Sequence, residues 1–170
     1  MQRRDKKYSA FSLIEVLMSA FILGVGLTAA ISLLSSGFRQ SIENRSQFAA
    51  ALLSQEGVEL VKNIRDNNWA NGNPSFMGID DGNNCHIDVE DINLQCDGNY
   101  LLKRTSGGFY NHFSGENTKF SRKIVISGDS NQKVVTSYVI WGQVFPGNIS
   151  DCNTKEKCAY TQTFLNKWKE

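Results

Sequence analysis

The sequence predicts an α+β protein: one long N-terminal helix, its first half able to cross a membrane, packed on a small antiparallel β-sheet head with disulfide-stapled loops. Three observations predict it. An apolar segment near the N-terminus contrasts with a polar remainder, a helical apolar period continues beyond that segment, and period-two alternation marks the C-terminal part. The chain has 170 residues, 41% of them hydrophobic, but residues 11–34 hold 17 hydrophobic side chains in 24 positions. This length fits one domain with an appendage and excludes a large multidomain enzyme. The net charge of +1 is uneven, because Arg3, Arg4, Lys6 and Lys7 precede the apolar run. The remainder is slightly acidic and offers no broad basic field for phosphates.

The first element is the apolar run. Residues 16–38 carry no formal charge and as a helix would reach roughly 34 Å, enough for a hydrocarbon core of about 30 Å. The basic residues ahead of it favour a cytoplasmic N-terminus, although Arg39 and Arg45 beyond it weaken the asymmetry. A secretory signal peptide cut after Thr28-Ala29-Ala30, a plain signal anchor and a buried helix of a soluble protein all fit this much. Glu15 changes the balance. It stands in Phe11-Ser12-Leu13-Ile14-Glu15-Val16, where an unpaired carboxylate in a membrane costs about 2.5–3.5 kcal/mol or more. A cut between Ala10 and Phe11 would create an α-ammonium on Phe11, able to pair with Glu15 of the same or an adjacent chain.

A basic leader, a small residue, Phe, three mostly apolar residues, Glu and about twenty apolar residues resemble the class III leader of type IV prepilins, which include major pilins, minor pilins and pseudopilins. The resemblance implies cleavage between Ala10 and Phe11 by a membrane-embedded prepilin peptidase that also methylates Phe11, with Glu15 guiding assembly. It implies as partners other pilin or pseudopilin subunits, an inner-membrane assembly platform, and membrane lipid before assembly. The sequence departs from the family pattern in two places. Ala10 stands where Gly is usual, and the mid-helix Pro of major pilins is absent, with Ser32 in that neighbourhood. Gly24 and Gly26 each weaken a helix by about 1 kcal/mol relative to Ala; they are points of flexibility or of close helix packing.

The helical pattern continues after the membrane segment. Phe48, Leu52, Leu53, Leu60, Val61 and Ile64 recur at spacings of three, four and seven, predicting one apolar face. The helix is expected to run from about residue 11 to about 67, where Asn67-Asn68-Trp69-Ala70-Asn71-Gly72-Asn73-Pro74 supplies stop signals. Residues 53–69 also resemble that region of minor prepilins. The expected organisation is a leader over 1–10, a transmembrane or filament-core half over 11–38, an amphipathic half over 39–67 and an extracytoplasmic head over 68–170.

Strands follow. Phe120, Ile124 and Ile126 alternate with Ser121, Lys123 and Val125, residues 128–132 break the run, and residues 134–141 resume it, predicting a β-hairpin. Further strands are expected at residues 100–104 and 160–168. Sheet packed on the apolar stripe of the helix gives the α+β head.

Cys85, Cys96, Cys152 and Cys158 fall in the part placed outside the membrane, where disulfides persist. Of three possible pairings, Cys85 with Cys96 and Cys152 with Cys158 are favoured because each closes a short loop. The spacings fit zinc poorly. The acidic stretch with Asp80, Asp81 and Asp88 gathers oxygens suited to calcium but does not match a calcium loop, so it reads first as a solvated loop. His86 and His112 are expected to be isolated and at the surface. Lys103, Arg104, Lys119, Arg122 and Lys123 could form a basic stripe near Tyr100 and Phe120 that touches nucleic acid; a solvated sheet face is favoured. Asn44-Arg45-Ser46 and Asn148-Ile149-Ser150 match the glycosylation acceptor.

The expected function is structural: a filament subunit without catalysis or cofactor, single-pass with its N-terminus inside and then extracytoplasmic on the cell surface. A minor pilin of a type IV pilus is favoured over a pseudopilin of a type II secretion or DNA-uptake machine. The competing classes are a signal-anchored binding module that never polymerises and a secreted enzyme with a cleaved signal peptide.

Overall fold

The computed structural model describes residues 12–142, 152 and 157–168. The Ala10–Phe11 junction and Asn148-Ile149-Ser150 lie outside the described residues. Helix α1 runs Leu13–Ala70 and is followed by strands β1 (Gly82–Cys85), β2 (Leu101–Arg104), β3 (Tyr110–Asn111), β4 (Glu116–Gly128), β5 (Gln132–Trp141) and β6 (Cys158–Asn166). The chain divides into two units, Met1–Glu43 and Asn44–Glu170. In the first, the described part is bare helix with large apolar side chains such as Leu13, Phe21, Leu23 and Leu33 exposed.

In the second unit the rest of α1 packs on an antiparallel six-stranded sheet of order β3-β2-β4-β5-β6, with β1 paired to β4. The expected hairpin is β4–β5, registered from Phe120 opposite Trp141 to Gly128 opposite Lys133. Its turn is held by Asp129, whose Oδ1 accepts the amides of Asn131 and Gln132 at 2.7 and 2.8 Å. β1 pairs with β4 around Ile124 and Ile126, and β2 pairs with β4 between Glu116 and Ser121. The short β1 and β3 carry too little alternation to be read from sequence.

The helix outruns its expected end by one turn because Gly72, not Asn67, stops it. Gly72 has φ +71°, and the amides of Gly72 and Asn73 reach back to the carbonyls of Trp69 and Asn68 at 3.1 and 2.8 Å. That pair of bonds is a Schellman stop, which needs the left-handed backbone that glycine adopts without strain.

The buried face of α1 also differs from the expected one. Ser46, Ala50, Leu53, Ser54, Gly57, Val58, Val61, Ile64 and Arg65 are buried, whereas Phe48 and Leu52 are 68% and 52% exposed. At about 100° per residue, Phe48 and Leu52 lie roughly opposite Ser46 and Ala50. Small side chains on the inner face let the sheet approach, so the bulkier pair points away. The approach is tight at Gly57, where a Cβ would stand 2.5 Å from Ser137 Oγ and 3.1 Å from Arg122 Cδ. One apolar cluster gathers Val58, Val61 and Ile64 with Ile79, Ile87, Ile124, Ile126, Val135 and Leu165. A second gathers Ala50 and Leu53 with Leu102, Phe120, Val139 and Trp141.

Replacing Gly57 with Val is expected to lower head stability by about 1–3 kcal/mol, as overpacking does in close-packed interiors. Chemical denaturation of the purified chain followed by tryptophan fluorescence checks this, and an unchanged midpoint would refute the close-approach argument.

Candidate functional site

Two places carry chemistry: the start of α1 and a buried ionic cluster in the head. The Ser12 carbonyl accepts the amides of Glu15 and Val16 at 3.0 and 3.3 Å, opening the helix. Ser followed three residues later by Glu is the capping-box pattern. Glu15 lies in the first turn, where a carboxylate faces the positive end of the helix dipole. It is exposed. With Val16, Ser19, Ala20 and Leu23 it lines a shallow indentation of about 380 Å³. The small Ser19 and Ala20 leave room beside the carboxylate for a cationic group. Farther along, Gly24 and Gly26 have open space around them, and α1 is long and apolar enough to cross a membrane.

In the head, Arg122 projects from β4 towards α1 and is fully buried. Its Nη2 donates to the Ile87 carbonyl at 2.7 Å and its Nη1 to the Leu53 carbonyl at 3.4 Å. Glu56 and Asp88 each stand 3.6 Å from the guanidinium. Burial pulls the Arg122 pKa down from its ordinary value, while Glu56 and Asp88 push it back up. Asp88 is held in turn by His112, whose backbone amide donates to Oδ2 at 2.8 Å and whose Nδ1 lies 2.6 Å from Oδ1. Burial works to raise the Asp88 carboxyl, but the His112 hydrogen bonds, with the charges of His112 and Arg122, carry it below the ordinary value.

The ring of His86 tilts against that of His112 at 4.5 Å between centroids. His86 Nδ1 lies 3.1 Å from Asp97 Oδ1, but neither ring nitrogen of His86 makes a well-formed hydrogen bond among the described residues. Burial, and then the charge of His112, lower the His86 pKa, against the opposing pull of Asp97, Asp88 and Asp91. Disulfides join Cys85 to Cys96 and Cys152 to Cys158. The first closes the loop that carries His86, Ile87 and Asp88 to Arg122.

Residues 5–31 match the family described as the prokaryotic N-terminal methylation motif. This leader supports a type IV pilin-like prepilin. The motif supports a pilin- or pseudopilin-like substrate of prepilin peptidase, and the apolar helix with this leader fits anchoring in a membrane. No curated protein and no solved structure matches the chain.

Several sequence expectations for the head are corrected. His86 and His112 are neither isolated nor at the surface: both are fully buried and stacked. Asp80, Asp81 and Asp88 do not converge on a calcium site. Asp81 accepts Lys133 Nζ at 2.8 Å, Asp88 is committed to His112, and among the described residues no group of three or more His, Cys, Asp or Glu side chains is placed to hold a metal. The five basic residues form no stripe. Arg122 turns inward, Lys123 is buried beside the Tyr100 ring at 5.6 Å, Lys119 reaches Ser46 Oγ at 2.6 Å, and Lys103 reaches the Phe113 carbonyl at 3.0 Å.

Two measurements test the cluster. Unfolded His86 takes up its proton near its ordinary value of 6.5, whereas folded His86 does so only at lower pH. The unfolded state therefore binds more protons in that interval, and stability falls as pH drops from about 6.5 towards the lowered value. His86→Phe is expected to flatten this slope in denaturant titrations from pH 7.5 to 5, and an identical slope in the variant would refute the assignment. Arg122→Ala, which leaves Asp88 buried beside an empty space, is expected to cost about 3–5 kcal/mol in the same titration at pH 7.5.

Proposed function

We propose that this chain is a minor pilin, a structural subunit of a type IV pilus that acts by assembly and not by catalysis. The observation that carries the reading is Glu15, the acid of the first helical turn, exposed on a helix otherwise uncharged through residue 38. Prepilin peptidase cuts between Ala10 and Phe11 and methylates the new Phe11 amine. That ammonium pairs with Glu15, of its own or a neighbouring chain, and sets axial register as a subunit leaves the bilayer. A carboxylate that is costly in lipid thereby gains its partner in the filament. Helices over 11–38 pack into the filament core, with Gly24 and Gly26 as points of flexibility or close contact. The amphipathic half over 39–67 carries the head outward to the cell surface.

The resemblance of residues 53–69 to minor prepilins supports a pilus subunit over a pseudopilin. The partners of this reading are the peptidase and methylase, other pilin subunits, the inner-membrane assembly platform and, before assembly, membrane lipid.

Mass spectrometry of the mature chain is expected to find N-methyl-Phe11 at its start. A start at Met1 would favour an uncut anchor, and a start near Ile31 a secreted head. Sheared surface filaments are expected to contain the wild-type subunit and to lose it, by about tenfold or more, when Glu15 becomes Leu, the order expected if a charge pair of about 1.4 kcal/mol is removed. Wild-type incorporation of Glu15→Leu would refute the register role. Absence of the wild-type chain from sheared pili would favour the pseudopilin.

A further inference from the structure

The last turns of α1 and the chain between residues 73 and 93 enclose a groove of about 610 Å³, within the roughly 300–1,000 Å³ of small-ligand sites. Its walls carry six asparagines: Asn63, Asn67, Asn68, Asn71, Asn73 and Asn93. Two of their amides are used by the fold, since Asn68 Nδ2 donates to the Met77 carbonyl at 2.7 Å and Asn71 Nδ2 to the Asn67 carbonyl at 2.8 Å. The side chains of Asn63, Asn67, Asn73 and Asn93 are exposed and make no hydrogen bond among the described residues. Asn93 is set in place by its neighbour: Gly78 has φ +75°, and a side chain there would run into the Asn93 amide.

Between the amides lie Leu60, Met77, Val89 and Ile92, the last three more than half exposed. Among the described residues no Lys or Arg lines the groove. Its two carboxylates are engaged by the fold: Asp88 Oδ1 lies 2.6 Å from His112 Nδ1, and Asp91 Oδ2 accepts the Asp88 amide at 2.8 Å.

This lining selects a ligand chemistry. Without a cation the groove has no charged partner for a phosphate, sulfate or carboxylate. Each asparagine offers two donors and an acceptor, matching hydroxyl groups that both donate and accept. The aliphatic patches between them match the C–H faces of sugar rings. An extended peptide would look for a sheet edge or deep apolar pockets, whereas these walls are a helix and a loop. We propose that the groove is a binding site for a short neutral oligosaccharide. The inference uses only residues of the head and stands apart from the filament reading.

The test uses the full chain in a zwitterionic detergent, because sugar-headed detergents would compete. It is applied to an array of neutral hexose and N-acetylhexosamine oligosaccharides, anionic oligosaccharides and hexapeptides. At least one neutral oligosaccharide is expected to bind, about tenfold or more weakly to the Asn63→Ala, Asn67→Ala double variant, and unchanged to an Asn83→Ala, Asn84→Ala control on β1. Side-chain amide resonances of the groove asparagines in the wild-type chain are expected to move on titration with the bound sugar. That measurement keeps the test decisive if the double variant folds poorly. Binding confined to anionic sugars or to peptides, no binding at all, or unmoved groove amides would overturn the proposal.

Discussion

The burial of the Arg122 guanidinium between helix and sheet is the constraint on which the head depends. A charge removed from water must be answered within the protein, and here the answer comes from several elements at once. The carbonyl of Leu53 and the carboxylate of Glu56 belong to α1, while the carbonyl of Ile87 and the carboxylate of Asp88 belong to the loop closed by Cys85–Cys96. His112, just beyond β3, holds Asp88 from the far side. Moving any one of these parts would leave a buried charge or dipole without its partner. The apolar clusters to either side supply driving force without direction, and the polar girdle between them adds position. Gly57 belongs to the same constraint, because a side chain there would displace the helix from Arg122.

What was legible in the sequence follows from how far apart the determining residues lie. The leader motif is one linear run, residues 5–31, so its residues sit side by side and Glu15 stood out at once. The β4–β5 hairpin is also local, and its alternation was visible around the Gly128–Gln132 break. Arg122 could have been placed by the same rule, since it shares parity with Phe120, Ile124 and Ile126, but its charge argued for solvent. His86 and His112 gave no such signal, because their stacking depends on a loop and a strand end brought together by the sheet. Phe48 and Leu52 misled for another reason: bulk suggested the core, while the inner face needed small residues for a close approach. Of the groove asparagines, Asn67, Asn68, Asn71 and Asn73 were read only as stop signals for the helix.

The two halves of α1 solve opposite problems with one secondary structure. Over 44–70 the helix has an inner stripe, and its polarity is distributed by what the sheet covers. Over 16–38 it carries no formal charge and is bare, a surface suited to lipid or other helices in place of the sheet. A helix satisfies its own backbone hydrogen bonds in either setting, which lets one continuous element pass between them.

The position of β4 in the sheet has a kinetic consequence. β1 and β2 dock on one edge of it and β5 on the other, so apart from the short β2–β3 pairing the earlier strands have no place in the sheet until residues 116–128 exist. The stripe of α1 that the sheet covers is synthesised well before that point. Its contacts are non-local and slow to form, and until the hairpin closes the nascent chain carries a second sticky surface besides its apolar N-terminal segment. Folding of the head is therefore gated by the arrival of its longest strand, and whatever shelters the helix during that interval acts on the stripe from Ala50 to Ile64.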